Sequence, residues 1–193
     1  MNKNRLEAFS DGVFAIIITI MVLEFKVPHG EQLADLLPLW PVFLSYVLSF
    51  VNVGIYWNNH HHLLHAVKKV NGAILWANLN LLFWLSLMPF STAWMGENHF
   101  ATMPVVLYAI DLCLCAVSYT LLQVQIIKSQ GAQSLVHQAL GDDRKGKISL
   151  VCYVLAIPLA LAGWPGVAGL LIGLVACLWL IPDRRIEKRL ESE

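Results

Sequence analysis

The chain has 193 residues, 58% apolar and 13% charged, against roughly 45–50% and roughly 25% in soluble domains. So few charges cannot cover a globular surface in water, which argues against a soluble enzyme, a nucleic-acid binder and a disordered chain alike. Thirteen basic residues balance thirteen acidic ones, so net charge points to no partner until the charges are placed along the chain.

A bilayer core about 30 Å thick needs about 20 mostly apolar helical residues, and six stretches are read as spans. The first, about 5–26, carries Asp11 inside it and has no small-residue cleavage site after it. It reads as a span and not as a cleavable signal peptide. The second, about 39–64, starts beside Pro38 and Pro41, residues suited to a helix start. The third and fourth run about 73–95 and 105–127. Ile148 to Ile181 would make a helix of about 51 Å, too long for one crossing. Gly163-Trp164-Pro165-Gly166 breaks it into about 148–163 and 165–181. The chain therefore reads as one all-α integral membrane domain, 1–193, with six transmembrane helices.

Basic residues give the topology. Lys3 and Arg5, Lys68 and Lys69, Lys128, Arg144, Lys145 and Lys147, then Arg184, Arg185, Lys188 and Arg189 all fall on one side, and Lys26 alone on the other. The positive-inside rule then places both termini in the cytoplasm. An odd number of spans would put the basic tail on the wrong side. Trp40, Trp94 and Trp164 fall at the outer interface, as aromatic belts do. Ser129 to Lys147 is the one longer polar connection, on the cytoplasmic side. Cys113, Cys115, Cys152 and Cys177 sit in apolar runs without metal-ligand spacing and read as packing residues.

The first helix is the most informative segment. At about 100° per residue, Arg5, Phe9, Gly12, Ile16, Ile20 and Leu23 form one stripe with Thr19 at its edge, while Glu7, Ser10 and Asp11 face the other way. An ionisable residue one to two turns inside a span is costly unless paired. Asp11 is thus either an interhelical lock or an ion or proton site. His60, His61, His62, Asn78, Asn80, Ser91 and Thr92 are its candidate partners. The apolar stripe either packs against helices or lipid, or rings an axis as a hydrophobic constriction that gates by dewetting.

Trp57-Asn58-Asn59-His60-His61-His62-Leu63-Leu64-His65 closes the second span. On a helix only His61 and His65 share a face, and no carboxylate or thiolate lies nearby in sequence, so the reading is hydrogen bonding at the interface and not a metal site. Asp111 is a second buried-charge position with no obvious partner. Phosphate loops, nucleophile elbows, His-Glu-x-x-His, paired catalytic carboxylates and the TVGYG filter are absent from the sequence. No enzyme activity and no cofactor is expected.

The run Arg5-x-x-x-Phe9-Ser10-Asp11-Gly12-Val13-Phe14-Ala15-Ile16 resembles the signature of the transmembrane protein 175 family, lysosomal and prokaryotic potassium channels that lack a conventional filter. Tyr56-Trp57-x-x-His60-His61 and Asn80…Pro89-Phe90-Ser91-Thr92 resemble the family's second- and third-helix motifs. The likeness covers the first half of the chain well and the second half in span count only. A single set of six spans is similar to the short prokaryotic form. The resemblance implies a homotetramer in a prokaryotic cell (inner) membrane, its first helices lining a central potassium pore. Ile16 matches the family's isoleucine constriction, Ile20 and Leu23 its next apolar layers, and Thr19 a layer that influences selectivity. Arg5, Ser10 and Asp11, with Phe9 in the same motif, match residues that pin the first helix to its neighbours. Trp57, His60, Asn80 and Ser91 are possible partners of that motif. The expected function is a leak-type potassium channel of modest selectivity. The alternative is a proton channel or proton-coupled cation transporter using Asp11 and the histidines.

Overall fold

The structure is a computed structural model that describes residues 3–65, 67–131 and 143–180. The basic cluster at 184–189 and most of the 129–147 connection lie outside the described residues. Within them the chain is all helical. Helix α1 is Lys3–Met21, prolonged by a 3-10 turn at Val22–Glu24. A 3-10 segment at Leu33–Leu39 leads into α2, Trp40–His65. Then follow α3 (Gly72–Glu97), α4 (Thr102–Gln130), α5 (Arg144–Leu161) and α6 (Pro165–Leu180). Four segments are long and apolar enough to cross a bilayer: Lys3–Glu24, Leu33–His65, Gly72–Glu97 and Thr102–Gln130. Helix α6 is a shorter apolar helix, and α5 opens on Arg144, Lys145 and Lys147.

Local chemistry explains the boundaries. Asn71 caps α3, its side chain accepting from the Ile74 N–H at 2.9 Å, and Asp143 caps α5 through the Gly146 N–H at 2.9 Å. The α5–α6 turn is closed by Gly163 in the left-handed region (φ +88°), where glycine carries no Cβ penalty. Pro165 then opens α6 at a position whose missing N–H costs nothing. The α3–α4 turn is closed differently. His99 and Phe100 are both left-handed, and the Phe100 N–H reaches back to the Met95 carbonyl at 2.9 Å.

The helices alternate in direction, so their ends fall into two groups. Lys3 Nζ donates to the His65 carbonyl at 2.6 Å. Gln130 bonds the backbone of both Lys68 and Lys69. Lys145 lies over the Trp179 ring. The starts of α1, α3 and α5 and the ends of α2, α4 and α6 therefore share one end, and all the described basic residues except Lys26 belong to it. At the other end Lys26 pairs with Glu97. That hydrogen-bonded carboxylate raises the Lys26 pKa, and the pair ties the segment after α1 to the end of α3.

Helix α4 occupies the middle of the subunit, packed on α3, α5 and α6, while α1 lies at the edge against α3 and α2. Small and polar residues let the backbones approach, as expected where lipid supplies no hydrophobic drive. At Gly96 a Cβ would stand only 2.8 Å from Val42 Cα, so α2 and α3 meet there almost backbone to backbone.

Candidate functional site

Helix α1 has two unlike faces. Leu6, Ser10, Phe14, Ile17 and Met21 are buried, a three-to-four-residue repeat that seats one stripe on α2 and α3. Ser10, fully buried, is the hub. Its hydroxyl donates to the Leu6 carbonyl at 2.9 Å and accepts from Asn78 Nδ2 at 3.0 Å. Asn78 Oδ1 stands 2.6 Å from His60 Nε2. Since the Asn78 amide donates to Ser10, its oxygen accepts, and His60 carries its proton on Nε2. The Phe14 ring covers His60 with centroids 5.4 Å apart. A serine, an asparagine and a histidine from three helices thus satisfy one another in the dry interior, which fixes both the rotation and the height of α1.

Asp11 is held differently. Its Oδ1 accepts from the Trp57 indole N–H at 3.0 Å. Trp57 is one of the motif's expected partners; among the described residues, no hydrogen bond joins Asp11 to the histidines, asparagines, serine or threonine also weighed for it. One position of helix rotation separates the two residues, so Ser10 meets α3 while Asp11 meets the Trp57 face of α2. Below Trp57, its ring neighbours His61 (centroids 6.1 Å), and His61 stacks on His65 at 6.2 Å. The aromatic column thus runs from Asp11 to the basic end.

Two expected motif partners, Trp57 and His60, face α1, and two do not. Asn80 donates to Ser118 of α4 at 2.7 Å, and Ser91 Oγ lies 2.8 Å from Asp111 Oδ2. Ser91 is thereby the partner of Asp111 that sequence alone left unassigned. Arg5 and Phe9 are exposed and meet no polar partner among the described residues of this subunit. Both lie on the bare stripe. A second polar cluster binds α2, α3 and α4. Thr92 donates to Ser49 at 2.6 Å, Ser49 pairs with the Tyr108 hydroxyl at 2.8 Å, and Asn52 donates to the same hydroxyl at 3.3 Å. Sequence reasoning named Thr92 but missed Ser49, Asn52 and Tyr108. Small polar residues spaced along an apolar helix were the available signal.

The other face of α1 is bare. Ile16, Ile20 and Leu23 are 57%, 42% and 77% exposed, although each is large and apolar. Arg5, Phe9, Gly12 and Thr19 on the same side are exposed as well. The Thr19 hydroxyl donates back to the Ala15 and Ile16 carbonyls at 2.9 and 3.0 Å. Its only proton is committed to its own helix, so toward the open side it presents lone pairs. A groove of about 560 Å³ flanks the stripe, lined by Ile16, Ile20 and Glu24 of the first segment and Pro89, Phe90 and Trp94 of α3.

Bilayer-length apolar helices and a first helix locked by polar groups on one face and bare on the other define a polytopic helical membrane protein. Residues 5–89 match the family model described as "Endosomal/lysosomal potassium channel TMEM175". The chain is 56% identical over 192 residues to a protein of Chryseobacterium sp. (strain P1-3) named as a potassium channel, the match covering 100% of each chain. Its fold matches the crystal structure of a lysosomal potassium-selective channel TMEM175 homolog from Chamaesiphon minutus, with a TM-score of 0.82, 27% identity, and coverage of 94% of this chain and 97% of that one. A stretch of 116 residues is 34% identical to the human protein named endosomal/lysosomal proton channel TMEM175, covering 54% of this chain and 23% of the human one. The chain belongs to the TMEM175 family, a family of ion channels and not of enzymes.

Proposed function

We propose that the protein is a leak-type potassium channel of modest selectivity. It works as a homotetramer of six-span subunits in a prokaryotic cell (inner) membrane, with both termini cytoplasmic and the bare stripe of α1 facing a central pore. One observation carries this reading. The exposed apolar stripe Ile16, Ile20, Leu23 lies opposite a buried face that polar bonds lock in place, so the rotation of α1 is set for something outside the subunit. The names of the Chryseobacterium and Chamaesiphon relatives supply the permeant ion.

The chemistry follows from the side chains. Four copies of Ile16 about an axis make a narrow apolar ring. An ion crossing it must shed water where few groups replace that water. Potassium holds its water less tightly than sodium, so the ring favours potassium weakly. Four Thr19 oxygens, each with its proton turned into its own helix, offer acceptor lone pairs one turn away and sharpen the preference. Selectivity stays below that of carbonyl cages, which replace most of the hydration shell. A small rotation that narrows the ring dries it and stops conduction. Ile20 and Leu23 extend the apolar path. Arg5 and Phe9 lie at the basic end of the stripe, placed to meet a neighbouring subunit.

A second reading has its own observation, the Asp11–Trp57–His61–His65 column, and the human relative's name points the same way. In it Asp11 and the histidines carry protons. Asp11→Asn separates the two readings. As a lock, Asp11 matters for assembly and stability, and the surviving Asp11→Asn tetramers keep their potassium flux. As a proton carrier, Asp11 is required for flux even in intact tetramers. Liposome flux measured on size-selected tetramers of the variant decides between them.

A further inference from the structure

We propose that Asp111, in the middle of α4 and away from the α1 stripe, is a proton-binding site, with its proton held on Oδ2 and donated to Ser91. The reading does not depend on the pore assignment. Asp111 is 6% exposed. Its Oδ2 lies 2.8 Å from Ser91 Oγ, and its Oδ1 has no hydrogen-bond partner. Ser91 Oγ also lies 3.1 Å from the Met88 carbonyl. A serine hydroxyl has one proton and can serve both acceptors only by sharing it in two weakened bonds.

Counting protons decides between the two charge states. If Asp111 is a carboxylate, Ser91 must turn its proton to Oδ2. The 3.1 Å approach to Met88 is then at best a share of the same proton, and a buried anion is left with a single donor. Such a charge inside a span costs several kcal/mol unless it is paired. If Asp111 is a neutral acid, its O–H donates to Ser91 and Ser91 donates to Met88, so both observed distances are hydrogen bonds. The bare Oδ1 is then a neutral carbonyl oxygen, which is far cheaper to leave unpaired than half of an anion.

The surroundings offer no counter-charge. Among the described residues, α2 brings Tyr56, α3 brings Ser91, and α4 itself brings Tyr108 and Cys115. Tyr153 of α5 faces Tyr108 and Cys115. Among the described residues, Ser91 is the only side chain that hydrogen-bonds Asp111, and it carries no charge. The Tyr108 hydroxyl is already taken by Ser49 and Asn52. The relay from Asp111 stops at the Met88 carbonyl, so the proton is bound there and not passed on. Its position gives it a consequence. Ser91 follows Pro89, and Pro89 and Phe90 line the groove beside Ile16 and Ile20. The proton therefore joins α4 to the part of α3 that backs the first helix.

Infrared difference spectroscopy on the full-length protein in lipid nanodiscs tests this. A protonated-carboxyl band at neutral pH, shifted in heavy water and lost in Asp111→Asn, is the expected result. Asparagine can still donate from its amide to Ser91, so this variant should keep its fold and its assembly. Ser91→Ala should move the band to higher frequency, since the acid loses the acceptor for its proton. In wild type the melting temperature should fall as pH rises from the ordinary carboxyl range toward the pH at which the band is lost, and level off there, a dependence that Asp111→Asn does not show, because over that range the folded chain holds a proton that the unfolded chain has released. If the band is absent at neutral pH or persists in Asp111→Asn, the proposal fails. It also fails if added sodium or potassium perturbs Asp111 carboxylate bands, which would mark a cation site instead.

Discussion

The two faces of α1 are built from similar side chains and do opposite things. On one face Phe14 and Ile17 are 1% and 3% exposed and close over the Ser10–Asn78–His60 chain. On the other, Ile16 and Ile20 are about as bulky and lie open. The contrast teaches that hydrophobicity does not choose the face of a membrane helix, since lipid accepts either one equally. The polar groups choose it. Asn78 can reach the Ser10 oxygen in only one rotation of α1, and once it does, the stripe opposite lies open among the described residues of the subunit.

Substitutions on the two faces should therefore separate stability from transport. The largest stability effect is expected for Phe14→Ala, which opens a cavity under α1 and should cost about 3 kcal/mol, read as a drop in unfolding midpoint in mixed micelles. Asn78→Leu should follow at about 2 kcal/mol, because it orphans the buried His60 N–H and removes the donor to Ser10. Trp57→Phe keeps the ring and deletes one indole N–H to a half-exposed carboxylate, so about 1 kcal/mol is expected. Ile16→Ala should change stability least, within about 0.5 kcal/mol as for exposed sites, while altering ion flux. A large stability loss at Ile16 with unchanged flux would mean that the bare face packs structurally and would reverse the comparison.

Much of this was legible in sequence, and the limits have physical causes. Apolar length and the segregation of Lys and Arg gave the all-helical membrane fold. The Gly163–Pro165 signal marked the last turn because left-handed glycine and helix-starting proline each have a narrow conformational role. The wheel separated the α1 stripe from Ser10 and Asp11 without any tertiary information. Polar pairing was less legible. Asn78 and Asn80 sit two positions apart, yet one meets α1 and the other meets Ser118 of α4. Which neighbour each one faces depends on helix packing that no local pattern encodes. Ser91 looked like a partner for the first helix and instead serves Asp111, because α3 presents that side to α4. Arg5 and Phe9 belong to a pinning motif by resemblance but meet no polar partner among the described residues.

The most direct test of the pore assignment is ion flux in liposomes carrying the purified protein, wild type beside Ile16→Asn, under potassium and then sodium gradients with a proton-sensitive dye. The account predicts wild-type potassium flux that exceeds sodium flux and needs an added proton ionophore. It also predicts that Ile16→Asn, by wetting the ring, raises flux several-fold and narrows the preference for potassium. Flux and preference unchanged by Ile16→Asn, or dye quenching without the ionophore, would contradict it and move the conduction path from the bare stripe to the Asp11 side of the helix.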